Sequence, residues 1–181
     1  MARPRALLPV AALGVLLALL GAALRAWVAA PLPALQPVPL HGRVAVVTGA
    51  SDGIGVWTAL ALAQWNATVV LPVRDVAKGE RVAEFIRQRL PRGCSGRVEV
   101  EHMDLASLAS VRAFAGALLR SGRALALLIN NAGTMRFRAS HDAAPERTED
   151  ALELVYQVNH LAPFLLTELL LPALVSACAV A

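Results

Sequence analysis

One lysine, one tyrosine and two cysteines are all that the 181 residues contain of those types. Cys94 and Cys178 stand far apart, without the paired spacing of a metal site, and they report nothing about redox compartment. Charged residues make up 17% of the chain and aromatics 4%. The net charge of +4 comes from scattered arginines, and no basic run interleaves with aromatics. That pattern makes nucleic acid a poor candidate partner. There is no internal repeat, and the only biased segment is a short proline-rich stretch. The length suits one domain with a core of its own and is too short for two ordinary ones.

What is abundant is apolar: 57% of the residues are hydrophobic, with an excess at the front. Ala6 to Leu24 carries no charged side chain, with Arg3 and Arg5 before it and Arg25 and Trp27 after it. The run reads as a signal-anchor helix, with a cleaved signal peptide and a buried core helix as the alternatives. Arginines on both sides leave its orientation open. Ala30 to Pro39 holds four prolines in ten residues, an extended and stiff spacer. The chain thus divides into an apolar segment over 1–29, a linker over 30–41 and a domain over 42–181.

Beyond the linker, strand and helix patterns alternate. Val44 to Val47 is a continuous apolar strand, followed by a helix over Val56 to Gln64 and a strand over Thr68 to Val73. Glu80 to Leu90 has apolar residues at helical spacing, Arg97 to His102 is a short strand, and Ser107 caps a helix to Arg120. The unbroken apolar run Ala124 to Ile129 predicts a strand covered on both faces, and Glu149 to Leu171 one long helix. Repeated strand–helix–strand units with buried strands mean an α/β fold: a Rossmann-type, doubly wound parallel sheet.

Two motifs sit at strand ends. Thr48 to Gly55 reads TGASDGIG, directly after the first strand and opening the first helix of the domain. Glycines at 49, 53 and 55 permit a tight turn and close approach of backbone to a pyrophosphate, which the helix N-terminus then faces. Asn130-Asn-Ala-Gly133 follows a later apolar strand.

With TGASDGIG at Thr48, VRDVAKGE at Val73, MDLASLASVR at Met103, LINNAG at Leu128 and VNHLAPFLLTELLLP at Val158, the chain resembles the short-chain dehydrogenase/reductase family. The likeness is to its membrane-anchored, retinol-dehydrogenase-like members and runs from about Gly42 to Leu171. It implies that Gly49, Ala50, Ser51, Asp52, Gly53, Ile54 and Gly55 line the pyrophosphate turn. It places Val73, then Arg74, where NAD-preferring members carry a carboxylate. A guanidinium there suits a 2′-phosphate, with Lys78 nearby, so the implied cofactor is NADP(H). A solvated surface charge is the alternative for Arg74. The resemblance also sets Asp104 and Leu105 against the adenine, and Asn131, Ala132 and Gly133 beside the nicotinamide ribose. Taken alone, Asp104 is equally a turn or helix-start residue. Asn159 matches the helix asparagine of the family's proton relay. Pro163, four residues on, lacks the N–H that would bond the Asn159 carbonyl, although a simple proline kink is the alternative.

There are departures. Asn66 stands where the family has glycine, and Pro72 removes a donor from the second strand. The family's catalytic Ser and Tyr-x-x-x-Lys are not assembled in these residues. Tyr156 is followed four positions on by His160, and Lys78 lies in the cofactor half. Set against the family's strand order 3-2-1-4-5-6-7, the domain is truncated after its fourth strand and the following helix. The fourth strand then becomes an open edge available for pairing. The expectation is an NADP(H)-dependent oxidoreductase of a lipophilic alcohol or carbonyl, of retinoid, sterol or polyprenoid type. These residues alone are expected to be inactive, with a non-catalytic NADP-binding or partner-pairing half-domain as the alternative. The expected location is the endoplasmic reticulum membrane, or outside the cell if the front is cleaved.

Overall fold

The computed structural model describes residues 7–28, 38–135 and 145–178. Two compact units emerge, residues 1–36 and 37–181. In the first, α1 is a helix over Leu7–Val28. Most of the proline-rich spacer lies outside the described residues.

The second unit is built on a parallel sheet ordered β3-β2-β1-β4. Its strands are β1 (Val44–Val47), β2 (Thr68–Val73), β3 (Arg97–His102) and β4 (Leu125–Ile129). The register sets Val46 beside Val70 on one side and Leu128 on the other. Successive side chains of a strand point to opposite faces, and the core divides accordingly. Ala45 and Val47 of β1 join Val69 and Leu71 of β2 against α2 (Gly53–Gln64) and α3 (Val76–Arg87). Val44, Val46 and Val70 face α4 (Leu108–Arg120) and α6 (Ala162–Cys178), where Phe114, Leu118, Leu166 and Leu170 close the other layer. The chain leaves β1 for β2 and β3 on one side and returns to β4 on the other. The carboxyl ends of β1 and β4 therefore flank the switch point at which such sheets bind ligands.

Three expectations are corrected. The helix expected from Glu80 begins at Val76, because the Asp75 carboxylate accepts a hydrogen bond from Lys78 N and caps it a turn earlier. The long helix over Glu149–Leu171 is not one element. Its first residues form a turn in which Arg147 bridges Glu153, followed by α5 (Leu154–Tyr156), a π-helical turn over Gln157–Leu161 and α6. Ala162 N donates to Gln157 O, five residues back, immediately before Pro163. A wider turn at this point accommodates a proline that cannot continue the ordinary ladder. Ala124 to Ile129 is not covered on both faces throughout: Leu125 is buried, but Ala126 to Ile129 are half-buried, since β4 is an outer strand among the described residues.

Asn66 takes φ +68, the left-handed turn that its family-wide glycine would supply. Pro72 lies beyond the β1–β2 ladder, which ends at Val46–Val70, and sits opposite Glu101 in the β2–β3 ladder, near the strand's end rather than at its centre.

Candidate functional site: a cleft at the carboxyl ends of β1 and β4

Thr48, nearly fully buried at the end of β1, joins the two motifs. Its Oγ1 accepts hydrogen bonds from Asn131 N at 3.0 Å and Ala132 N at 3.1 Å. Asn131 answers through Nδ2, which donates to the Thr48 and Gly49 carbonyls at 3.0 and 3.2 Å. The turn after β1 and the turn after β4 are thus one hydrogen-bonded unit.

The glycines within it have different jobs. Gly49 has φ +66, and a Cβ there would lie 2.6 Å from Ala132 Cα. A Cβ on Gly55 would meet Asn131 Nδ2 at 2.6 Å and Gly49 O at 2.7 Å, so this glycine serves helix–turn packing. Gly53, with φ +56 at the start of α2, has nothing within 4 Å of its missing Cβ. It faces open space at a helix N-terminus, where a ligand phosphate meets free N–H groups. Ala50 is buried beneath the turn.

Two adjoining cavities share Gly49, Ser51, Ala132, Gly133 and Val158 and form one cleft. The first, of about 280 Å³, is lined by Arg74, Asp104 and Leu105 as well. The second, of about 550 Å³, is bounded by Asp52, Gly53, Ile54 and Asn131. Most of the sequence-predicted cofactor residues are therefore brought to one place; Ala50, Gly55 and Lys78 do not line it. Asp104 combines two roles. It borders the cleft, while its Oδ1 accepts from Ala106 N at 2.9 Å in a turn leading to α4.

Lys78 reaches from α3 to the rim instead. Its Nζ lies 3.0 Å from Asp52 Oδ2, while Asp52 Oδ1 caps α2 by accepting from Gly53 N at 2.8 Å. The Lys78 hydrogen bond, reinforced by the Gly53 N–H and by the lysine charge, holds the Asp52 carboxyl below its ordinary value. Arg74 is exposed and makes no hydrogen bond or ion pair among the described residues.

Asn159 sits in the π turn, with its side chain engaged twice: Oδ1 accepts from Thr134 N and Nδ2 donates to Thr134 O, both at 2.8 Å. It pins the backbone that continues from Gly133. Tyr156 is half exposed and lies against His160, ring centroids 5.3 Å apart; neither residue borders the cleft.

Sequence reasoning missed Gln157. It is fully buried, donates to Asp150 Oδ2 at 2.7 Å and to Leu105 O at 3.3 Å, and accepts from Thr148 Oγ1. Asp150 Oδ2 also accepts from Leu108 N at the start of α4. This network ties the wall bearing Leu154 and Val158 to the turn bearing Leu105. The available signal was an amide standing between the apolar pairs Leu154–Val155 and Leu161–Ala162.

Against known families, residues 43–179 match the short chain dehydrogenase model. The chain belongs to the short-chain dehydrogenase family. Among curated relatives, human dehydrogenase/reductase SDR family member 13 is 51% identical over 77% of this chain and 34% of its own length. Mouse retinol dehydrogenase 14 is 42% identical over 78% of this chain and 42% of its own. The chain thus spans between about a third and two fifths of these relatives. A metagenomic short-chain oxidoreductase solved in complex with NADP superposes with a TM-score of 0.63 at 36% identity, covering 77% of this chain and 60% of that one.

Proposed function

We propose that this short-chain dehydrogenase domain binds NADP(H) in the cleft and supplies the cofactor half of an oxidoreductase acting on a lipophilic alcohol or carbonyl. Arg74 carries the reading. A free guanidinium stands on the cleft at the end of β2, where a carboxylate would favour the unphosphorylated ribose. The residues present fit the cofactor, because Gly53 borders the cavity at the start of α2 with open space where its Cβ would be. When bound, the nicotinamide supplies or accepts hydride. The chain's own residues do the holding. The N-terminus of α2 takes the phosphates, Arg74 the 2′-phosphate and Asp104 the adenine edge. Ala132 and Gly133 offer a wall without bulk beside the second ribose. Asn159 fixes that wall through Thr134.

The lipophilic substrate class rests on the retinol dehydrogenase relatives and on α1. That helix has 22 residues of almost wholly apolar sequence, about 33 Å at the usual rise, close to the thickness of a bilayer core. α1 anchors the chain to a membrane, that of the endoplasmic reticulum in this reading. A second stretch, Leu154–Ala177, also meets the length and composition of a span, but Ala162, Leu166 and Leu170 within it are core residues on the sheet.

Titrating the full chain with NADPH and NADH, followed by tryptophan fluorescence and melting temperature, tests the reading. Saturable NADPH binding is expected. Replacing Arg74 with Met should weaken NADPH at least tenfold, the value of a charge-assisted hydrogen bond of about 1.5–3 kcal/mol, and leave NADH nearly unchanged. No saturable response to either nucleotide at millimolar concentration would refute it.

The second reading is a non-catalytic half-domain that pairs with another chain. It draws support from β4, whose outer edge has no strand partner among the described residues and whose last residues are half-buried. Hydrogen exchange of the β4 amides, argued below, decides it.

A further inference from the structure

Lys78 is the chain's one lysine, and it is already spent on the rim of the cleft. Its ammonium meets Asp52 Oδ2 at 3.0 Å, and that carboxylate is anchored in turn by accepting the Gly53 amide. Asp52 lines the same cleft as Gly49 and Ser51, which also border the Arg74 side. One carboxylate therefore pairs with one of the two cations, Lys78 at the rim and Arg74 on the cleft. It is well placed to stay ionised, because both its oxygens accept hydrogen bonds and one of the donors is cationic. Its neutral isostere would keep the helix cap, since asparagine is as good an N-cap as aspartate.

We infer that Asp52 is a specificity-determining residue that opposes the 2′-phosphate: it ties up the Lys78 charge and adds its own negative charge at the mouth, leaving Arg74 as the unpaired cation that lines the cleft among the described residues. The inference rests on the cofactor reading above and deepens it. Two consequences follow from the charges alone. Removing the Asp52 charge releases Lys78 and strengthens binding of a phosphorylated ribose. Removing the Lys78 charge leaves Asp52 unneutralised and weakens it. A ligand with a 5′-phosphate alone should respond less to either change, so the preference between the two ligands is the readout.

The experiment uses the full chain and two adenosine probes, 2′,5′-ADP and 5′-AMP, with dissociation constants from calorimetry at low and moderate salt. Asp52→Asn is expected to raise the preference for 2′,5′-ADP over 5′-AMP about three- to fivefold, the scale of one exposed charge pair. Lys78→Met is expected to loosen 2′,5′-ADP by a similar factor, and the gain in Asp52→Asn should shrink as salt rises. The thermal midpoint of each variant checks that the fold is intact. If the parent binds 2′,5′-ADP but Asp52→Asn leaves its preference over 5′-AMP unchanged, the inference is wrong and the cofactor reading stands. Weaker binding in Asp52→Asn would also overturn it, since Asp52 would then present the lysine to the phosphate rather than withhold it. If the parent binds neither probe, the cofactor reading fails and the inference falls with it.

Discussion

A methyl group on Gly96 would sit 1.9 Å from the Ala63 carbonyl oxygen, a distance no repacking of side chains can relieve. Gly96 precedes β3 and lets the chain pass against the end of α2. Gly96→Ala should therefore cost about 1–3 kcal/mol through forced backbone displacement, read as a lower urea midpoint. Nothing in the neighbouring sequence announces this, because the obstacle is contributed by residues more than thirty positions away. The glycines of the β1 turn were legible for a different reason, since they recur with a fixed spacing between a strand and a helix. Even there the division of labour was hidden. Only the folded chain distinguishes Gly53, open to the cleft, from Gly55, pressed on Asn131. Lys78 was legible as a cation near Arg74, and its capture by Asp52 was not, because that contact joins two elements across the rim.

Among the elements, strands were read almost to the residue, since buried parallel strands leave continuous apolar runs. Helix starts depended on caps. Ser107 was recognised and α4 begins beside it, whereas Asp75 was overlooked and α3 was placed late. The segment before α6 was misread because its apolar residues are compatible with one helix. What breaks it is a turn from Thr148 to Leu152, in which Thr148 N donates to Leu152 O and Arg147 Nη1 to Ala151 O. Ala151 adopts φ +60 in that turn, a left-handed conformation that an alanine methyl opposes. Ala151→Gly should stabilise the domain by about 0.5–1 kcal/mol, the relieved strain less the entropy that glycine adds to the unfolded chain. A rise in the thermal midpoint, with cofactor affinity unchanged, is the expected result. A fall would show that the turn is held without strain.

For the whole molecule, the sheet has two kinds of strand. β1 and β2 are bonded on both sides, whereas β4 is bonded to β1 alone. Close to it, α6 buries one side on the core and leaves Phe164 and Val175 about 60% exposed on the other. Such a surface favours association, and an unpaired strand edge is a ready template for it. Native-state hydrogen exchange should rank the β1 and β2 amides slowest and those of the two outer strands, β3 and β4, faster in dilute protein. If the domain pairs through its edge, β4 protection should grow with protein concentration; protection that is concentration-independent argues for the catalytic reading over the pairing one. The order of the strands was readable through the family likeness. The half-exposure of β4 was not read from its composition, because an apolar run looks the same in the middle of a sheet as at its margin.

The commitment of Thr48 Oγ1 to the amides of Asn131 and Ala132 has a chemical corollary for whatever enters the cleft. With those two donors consumed internally, that wall offers a guest neither of these amides. A guest with acidic groups at one end would find helix N–H donors at the head of α2 rather than at these two amides, so a single buried threonine biases the direction in which it would lie.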